Sequence, residues 1–239
     1  MRRSSLVTYD FEGSVVLVTG ASGALGGAVA EAFDGAGATV CGADIVAPDD
    51  EDALVDPAAV DFHETDATDE ENVAETIEAV VGEHGRLDAL CNVAGTWRGG
   101  DPIHETDVDE FDTLFDVNLK SMFLASKHAV PHLRETEGAI VSVSARSSLE
   151  GGEGDGPYRA SKAGVRLLTE TIAAENLGTV RANAIMPSVI DTPTNREMMP
   201  DADFEEWADP ADIADVVLFL CSPEATVTSG AAVPVYGES

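Results

Sequence analysis

Hydrophobic positions along this chain switch between two periods. Val15-Val16-Leu17-Val18 is a continuous apolar run, the pattern of a strand buried on both faces, and it passes at once into the glycine-rich stretch Thr19 to Gly27. From Ala28 to Phe33 apolar residues return at three-to-four spacing, which predicts a helix packed back on that strand. The alternation then repeats. Further strands are predicted at Val40 to Ala43, Val60 to His63, Leu87 to Cys91, Ala139 to Ser144, Val180 to Met186 and Ala231 to Tyr236. Helices are predicted from Asp69 to Gly82, with Val73, Ile77, Val80 and Val81 inward, from Asp107 to Leu133 as one long element, from near Tyr158 to Asn176, and from Pro210 to Leu220. Pro48 to Ala58 reads as an acidic surface connection, and Asn195 to Trp207 as an irregular, mobile lid. Strands alternating with helices predict an α/β fold, a single domain over residues 1–239 with a doubly wound parallel sheet of about seven strands and helices on both faces.

Strand, glycine turn and helix N-terminus together make an anion site. Glycines let the backbone approach a pyrophosphate, while free N–H groups and the helix dipole offset its charge. Gly20, Ser22, Gly23, Ala24, Leu25 and Gly26 are the candidates to supply it. Asp44 closes the second strand 18 residues beyond Gly26, where a carboxylate would meet the ribose hydroxyls of a dinucleotide. No Lys or Arg lies between Arg3 and Arg86 to neutralise a 2′-phosphate, so the pattern points to NAD. Asn92-Val93-Ala94-Gly95 ends the fourth strand in small residues that would let a cofactor lie close. Asn118 is a polar residue inside an apolar stripe, and spacing alone favours a buried amide satisfying backbone groups. Tyr158 and Lys162 stand at i, i+4 on one helix face, where an ammonium would lower a phenol's pKa toward neutrality and allow proton exchange with a hydroxyl or carbonyl.

Charge narrows the partners. With 45 acidic against 13 basic residues the net charge is −32, which disfavours nucleic acid and anionic membranes. Self-repulsion on this scale is screened at high ionic strength, where the Debye length falls to about 3 Å at 1 M salt, so a salt-adapted protein is expected. The N-terminal residues lack an apolar signal core and no long apolar segment follows, which predicts a soluble, cytoplasmic protein. Cys41, Cys91 and Cys221 show no Cys-x-x-Cys spacing, and His63 and His84 no ligand spacing; no metal site is expected, and both histidines are assigned to the surface.

In order and spacing, Thr19 to Gly26, Asp44, Asp66, Asn92 to Gly95, Asn118, Tyr158 to Lys162 and Pro187 to Thr192 resemble the short-chain dehydrogenase/reductase family over nearly the whole chain. The resemblance implies a Rossmann-type fold and an NAD-dependent oxidoreductase that moves a hydride between nicotinamide and a secondary alcohol or ketone. It implies Tyr158 as acid/base, Lys162 lowering its pKa and binding the nicotinamide ribose, and Asn118 holding a water that relays protons. Asp66 and Ala67 would lie by the adenine, Asn92, Ala94 and Gly95 along the cofactor, and Ile190 and Thr192, after Pro187, at the carboxamide. Pairing through the two long helices as a homodimer or homotetramer is also implied.

The chain departs from the family at Ala24, Val93 and Ser188, and more seriously at Ala145, where the catalytic serine is expected 13 residues before Tyr158. Ser147 returns to the same strand face as Ala145 and is the favoured substitute; Ser144 comes second, and action by Tyr158 alone is the third possibility. The same gap resembles the dihydropteridine reductases, which leaves a pterin or quinonoid reductase as one alternative. A non-catalytic NAD-binding module is the other.

Overall fold

A computed structural model describes residues 8–238. Its strands are β1 (Val15–Thr19), β2 (Thr39–Asp44), β3 (Asp61–Glu64), β4 (Ala89–Asn92), β5 (Ala139–Val143), β6 (Arg181–Pro187) and β7 (Ala232–Val235). They form one sheet in the order β3-β2-β1-β4-β5-β6-β7, every neighbouring pair parallel. The order reverses between β1 and β4, and in an open sheet of this kind the crevice for a ligand lies beyond the carboxyl ends of those strands.

The helices are α1 (Ala24–Gly35), α2 (Glu70–His84), α3 (Val108–Phe115), α4 (Ser121–Thr136), α5 (Gly156–Glu175), α6 (Pro193–Met198) and α7 (Pro210–Cys221). Alternation along β1 sorts them into two layers. Val16 and Val18 pack with Val29 and Phe33 of α1 and with Ile213 and Val217 of α7. Val15 and Leu17 point the other way, onto Val73, Ile77 and Val80 of α2 and Leu124 and Leu133 of α4. The sheet is therefore covered on both faces, which is why central strands such as β1 read as unbroken apolar runs, whereas the edge strand β3 does not.

Several expected boundaries move for identifiable reasons. α1 starts at Ala24, not Ala28, because a Cβ at Gly26 would stand 1.9 Å from the Gly20 carbonyl oxygen: only glycine lets the helix begin inside the turn. α5 starts at Gly156, with Pro157 in its first turn, where a missing N–H costs nothing. The long helix expected from Asp107 to Leu133 is α3 and α4 joined by a π-helical turn, Asp116–Lys120, and it continues to Thr136. That widened turn carries the buried Asn118. The segment expected to be an irregular lid holds α6, capped by Thr192, and a 3₁₀ turn at Phe204–Glu206. Arg196 ties the two together, pairing with Asp191 and standing 4.8 Å from the centre of the Phe204 ring. His63 and His84, expected on the surface, are half-buried and each keeps a buried ring nitrogen. No helix among the described residues is long and apolar enough to cross a membrane.

Candidate active site

On the β1 side, the crevice is made of backbone. The first turn of α1 carries no side-chain cap and no acidic residue, so its N–H donors are left to an incoming anion. Gly20, Ser22, Gly23, Leu25 and Gly26 bring those groups together. Asp44, at the end of β2, is held against the turn: its Oδ2 accepts from the Ser22 N–H at 3.0 Å and its Oδ1 from the Val46 N–H at 3.1 Å. Asp66 and Ala67 follow β3. The Asp66 carboxylate accepts from the Thr68 hydroxyl and N–H at 2.7 and 2.8 Å, and these bonds hold it below the usual carboxylate range.

The Thr19 hydroxyl accepts from the N–H groups of Val93 and Ala94, both at 3.2 Å, and so sets the turn after β4 beside the glycine turn. Asn92 itself does not face that turn. Its amide is buried and donates to Ser126 and Ser142, both at 3.1 Å, so the position meets the turn through its backbone.

Past β4 the crevice is made of side chains. A Cβ on Gly95 would meet Lys162 Nζ at 3.0 Å and Asn118 Oδ1 at 3.1 Å, so the glycine is what lets those two groups converge. Asn118 accepts from the Thr96 N–H at 2.7 Å and donates to the Thr96 carbonyl at 3.0 Å and to Ser161 Oγ at 3.1 Å. The Ser161 hydroxyl in turn donates to the Tyr158 carbonyl at 2.8 Å. Asn118 thus fastens the loop at Thr96 to the helix that carries Tyr158 and Lys162. Ser161 and Thr19 lie inside segments whose spacing was informative, but hydroxyl partners have no period to betray them.

Lys162 is buried, and burial brings its pKa down to about 8. Its ammonium donates to the Val143 carbonyl at 2.9 Å. The Tyr158 phenol is pushed up to about 12, by burial first and by the Asp155 carboxylate second, with Arg159 offsetting part of the effect. The direction is opposite to the expected lowering: burial and the Asp155 carboxylate set it, while the Lys162 ammonium donates to Val143.

Ala145 is buried, and the neighbouring serines differ. Ser144 donates its one O–H to the Lys162 carbonyl at 2.7 Å and lies 3.2 Å from Ser148 Oγ, which commits its hydrogen to holding α5. Ser147 is half-buried, on the 3₁₀ turn Arg146–Leu149. Pro187 ends β6; Ile190 bridges to Ala208, and Thr192 accepts from the Asn195 N–H at 3.2 Å.

A seven-stranded doubly wound sheet with a glycine turn at its switch point and a buried Lys one turn beyond a Tyr defines a dinucleotide-binding oxidoreductase class. A family model described as enoyl-(acyl carrier protein) reductase matches residues 20–237. The 3-oxoacyl-[acyl-carrier-protein] reductase FabG of Thermotoga maritima is 35% identical over 242 residues, covering 95% of this chain and 97% of the relative. The aldohexose dehydrogenase of Thermoplasma acidophilum, solved in ligand-free form, superposes with a TM-score of 0.85 at 30% identity over 95% of this chain and 94% of that one. ElxO, solved with NADP bound, gives a TM-score of 0.85 at 26% identity over 94% and 97%. The chain belongs to the short-chain dehydrogenase/reductase family, whose members are oxidoreductases that use a nicotinamide cofactor.

Proposed function

We propose that this chain is an NAD-preferring oxidoreductase that interconverts a secondary alcohol and its ketone. The convergence of Lys162 Nζ and Asn118 Oδ1 at Gly95, one helical turn from Tyr158, carries the reading. The crevice fits a nicotinamide dinucleotide: the uncapped start of α1 suits the pyrophosphate, Asp44 the adenosine ribose, and the small turn at Ala94 and Gly95 the close approach. When bound, that cofactor accepts or supplies the hydride. Tyr158 holds the substrate oxygen and exchanges its proton. Raised by burial, the Tyr158 phenol stays protonated at neutral pH and is set to donate to a ketone oxygen, while Lys162, brought down to about 8 by burial, is the group of the pair that titrates nearest neutrality. Asn118 keeps the loop and α5 in register, and Ile190 and Thr192 are assigned to the carboxamide.

Asp44 decides the cofactor. ElxO binds NADP, whereas here a 2′-phosphate would meet a carboxylate with no Lys or Arg between Arg3 and Arg86. Relatives named as a 3-oxoacyl reductase and an aldohexose dehydrogenase support a carbonyl and alcohol pair as substrate class. Exposed Phe111, Phe123 and Leu167 on α3, α4 and α5 support assembly as a homodimer or homotetramer. A pterin or quinonoid reductase is the second reading, favoured by Ala145 alone. A panel of secondary alcohols, ketones and quinonoid pterins, each with NAD and NADP cofactors, separates the readings. Turnover of alcohols with NAD is expected; turnover of pterins alone, or none at all, would replace the reading.

A further inference from the structure

At the opposite end of the sheet from the crevice, three residues far apart in sequence come together. Cys41 of β2, Asp61 at the start of β3 and His84 at the end of α2 place a thiol sulfur, a carboxylate oxygen and an imidazole nitrogen within 4.8 Å of one another. The topology accounts for this. Cys41 and Asp61 are register partners, so their side chains leave the same sheet face, the one α2 covers. α2 then runs back against the strands and delivers its last residue to their amino ends.

Two details mark the cluster as a ligand set. The His84 Nε2 is buried with no hydrogen-bond partner, although it lies 3.5 Å from Asp61 Oδ2. Tetrahedral zinc with Zn–N of about 2.0–2.1 Å and Zn–O of about 2.0–2.2 Å would hold its nitrogen and oxygen ligands about 3.4 Å apart. That separation is the edge of a coordination tetrahedron. Cys41 is fully buried and supplies the soft third ligand. The carboxyl-terminal end of the α2 dipole and the nearby Glu83 add a negative field that favours a cation.

We propose that Cys41, Asp61 and His84 bind one zinc-class divalent ion, with the fourth position open to water. Sulfur, imidazole and carboxylate together select zinc over magnesium or calcium, which prefer all-oxygen sets. On binding, the Cys41 S–H bond breaks, a Zn–S bond forms and the proton passes to solvent. The ion ties β2, β3 and α2 together away from the crevice, and the sequence concealed it because the ligands share no spacing.

The test titrates the EDTA-treated full chain with zinc chloride in strong KCl, which screens the acidic surface. One zinc per chain, proton release and a raised Tm are expected, and cobalt(II) in its place should give a thiolate charge-transfer band; magnesium should do none of this. Losing an outer partner of a metal ligand costs about 10- to 100-fold in affinity, so Cys41→Ser and His84→Gln should each cost at least about 100-fold. Asp61→Asn alters an exposed side chain, so it keeps the test decisive if a core variant misfolds, and it should also weaken binding. Absence of retained zinc, or zinc and cobalt binding unchanged in Cys41→Ser and Asp61→Asn, would overturn the site.

Discussion

The two sides of the crevice are built from different material. From β1 to β2 the site consists of N–H groups, close glycine contacts and one carboxylate, and that carboxylate is itself bound to the loop it serves. From β4 to α5 it consists of buried polar side chains, Asn118, Ser161 and Lys162, bonded to one another or to backbone. The first side offers shape, dipole and a single carboxylate. The second holds a lysine near 8 and a tyrosine near 12, so its state depends on pH. Binding and chemistry are therefore separable here, and substitutions on each side should fail in different ways.

The largest effect should come from the side-chain half. Tyr158→Phe removes the exchanging proton, and general acid–base contributions of this kind are worth about 10²–10⁴ in rate. Turnover should fall by that factor while cofactor affinity, measured by calorimetry, stays within error. Ser147→Ala sharpens the result: loss of one hydrogen-bond donor to a developing oxyanion typically costs about 10²–10³. A fall of that size would identify Ser147 as the replacement for the hydroxyl absent at Ala145, and unchanged turnover would leave Tyr158 to act alone.

In the backbone half the matching change is Gly26→Ala. The new Cβ would lie 1.9 Å from the Gly20 carbonyl, so the turn must move. Overpacking of this kind costs about 1–3 kcal/mol, and a lowered Tm together with weakened binding of both NAD and NADP is expected. If cofactor affinity survives, the backbone cradle is not the anion site.

How much of this was legible follows the same division. The seven strands, their parallel order and the glycine turn could be read because burial on both faces and backbone approach leave marks at fixed spacing, as Val15 to Val18 and Gly26 do. The π turn at Asp116–Lys120 left none, since one inserted residue does not disturb an apolar stripe enough to be seen. Nor could the sequence tell that Asn92 turns into the core toward Ser126 while Asn118 turns toward Thr96. The direction of a buried amide depends on partners dozens of residues away. Strand parity was the wrong tool for ranking Ser144 and Ser147, because β5 ends at Val143 and Ser147 stands on the 3₁₀ turn that follows; what distinguishes them is the bond from Ser144 to the Lys162 carbonyl. The direction of the Tyr158 shift could not be read, because it depends on how deeply the phenol is buried and on the Asp155 carboxylate beside it.

A smaller effect tests the one carboxylate of the backbone side. Asp44→Asn keeps the shape and removes the charge. NAD is expected to bind at least about tenfold more tightly than NADP, about 1.4 kcal/mol, and the substitution should erase most of that gap. Calorimetry with both cofactors measures it, and an unchanged ratio would mean that Asp44 only fastens Ser22 and Val46.

The smallest effect is a slope. In the folded chain burial lowers Lys162 from 10.5 to about 8. Between those values the unfolded chain binds the proton and the folded chain has released it, so this group makes stability rise with pH through that window. Cys41 acts in the opposite sense: burial raises its thiol from 9.0 to about 12, so its contribution is full below 9 and declines above it. Tyr158, raised from 10.0 to about 12, joins that decline above 10. Only the interval from pH 8 to 9 isolates the lysine, where one proton is worth at most about 1.4 kcal/mol per pH unit. Denaturant unfolding of the wild type and of Lys162→Met across that interval gives the comparison. The wild type should gain up to about 1 kcal/mol relative to the variant, and parallel curves would mean that the buried ammonium keeps its ordinary affinity for a proton.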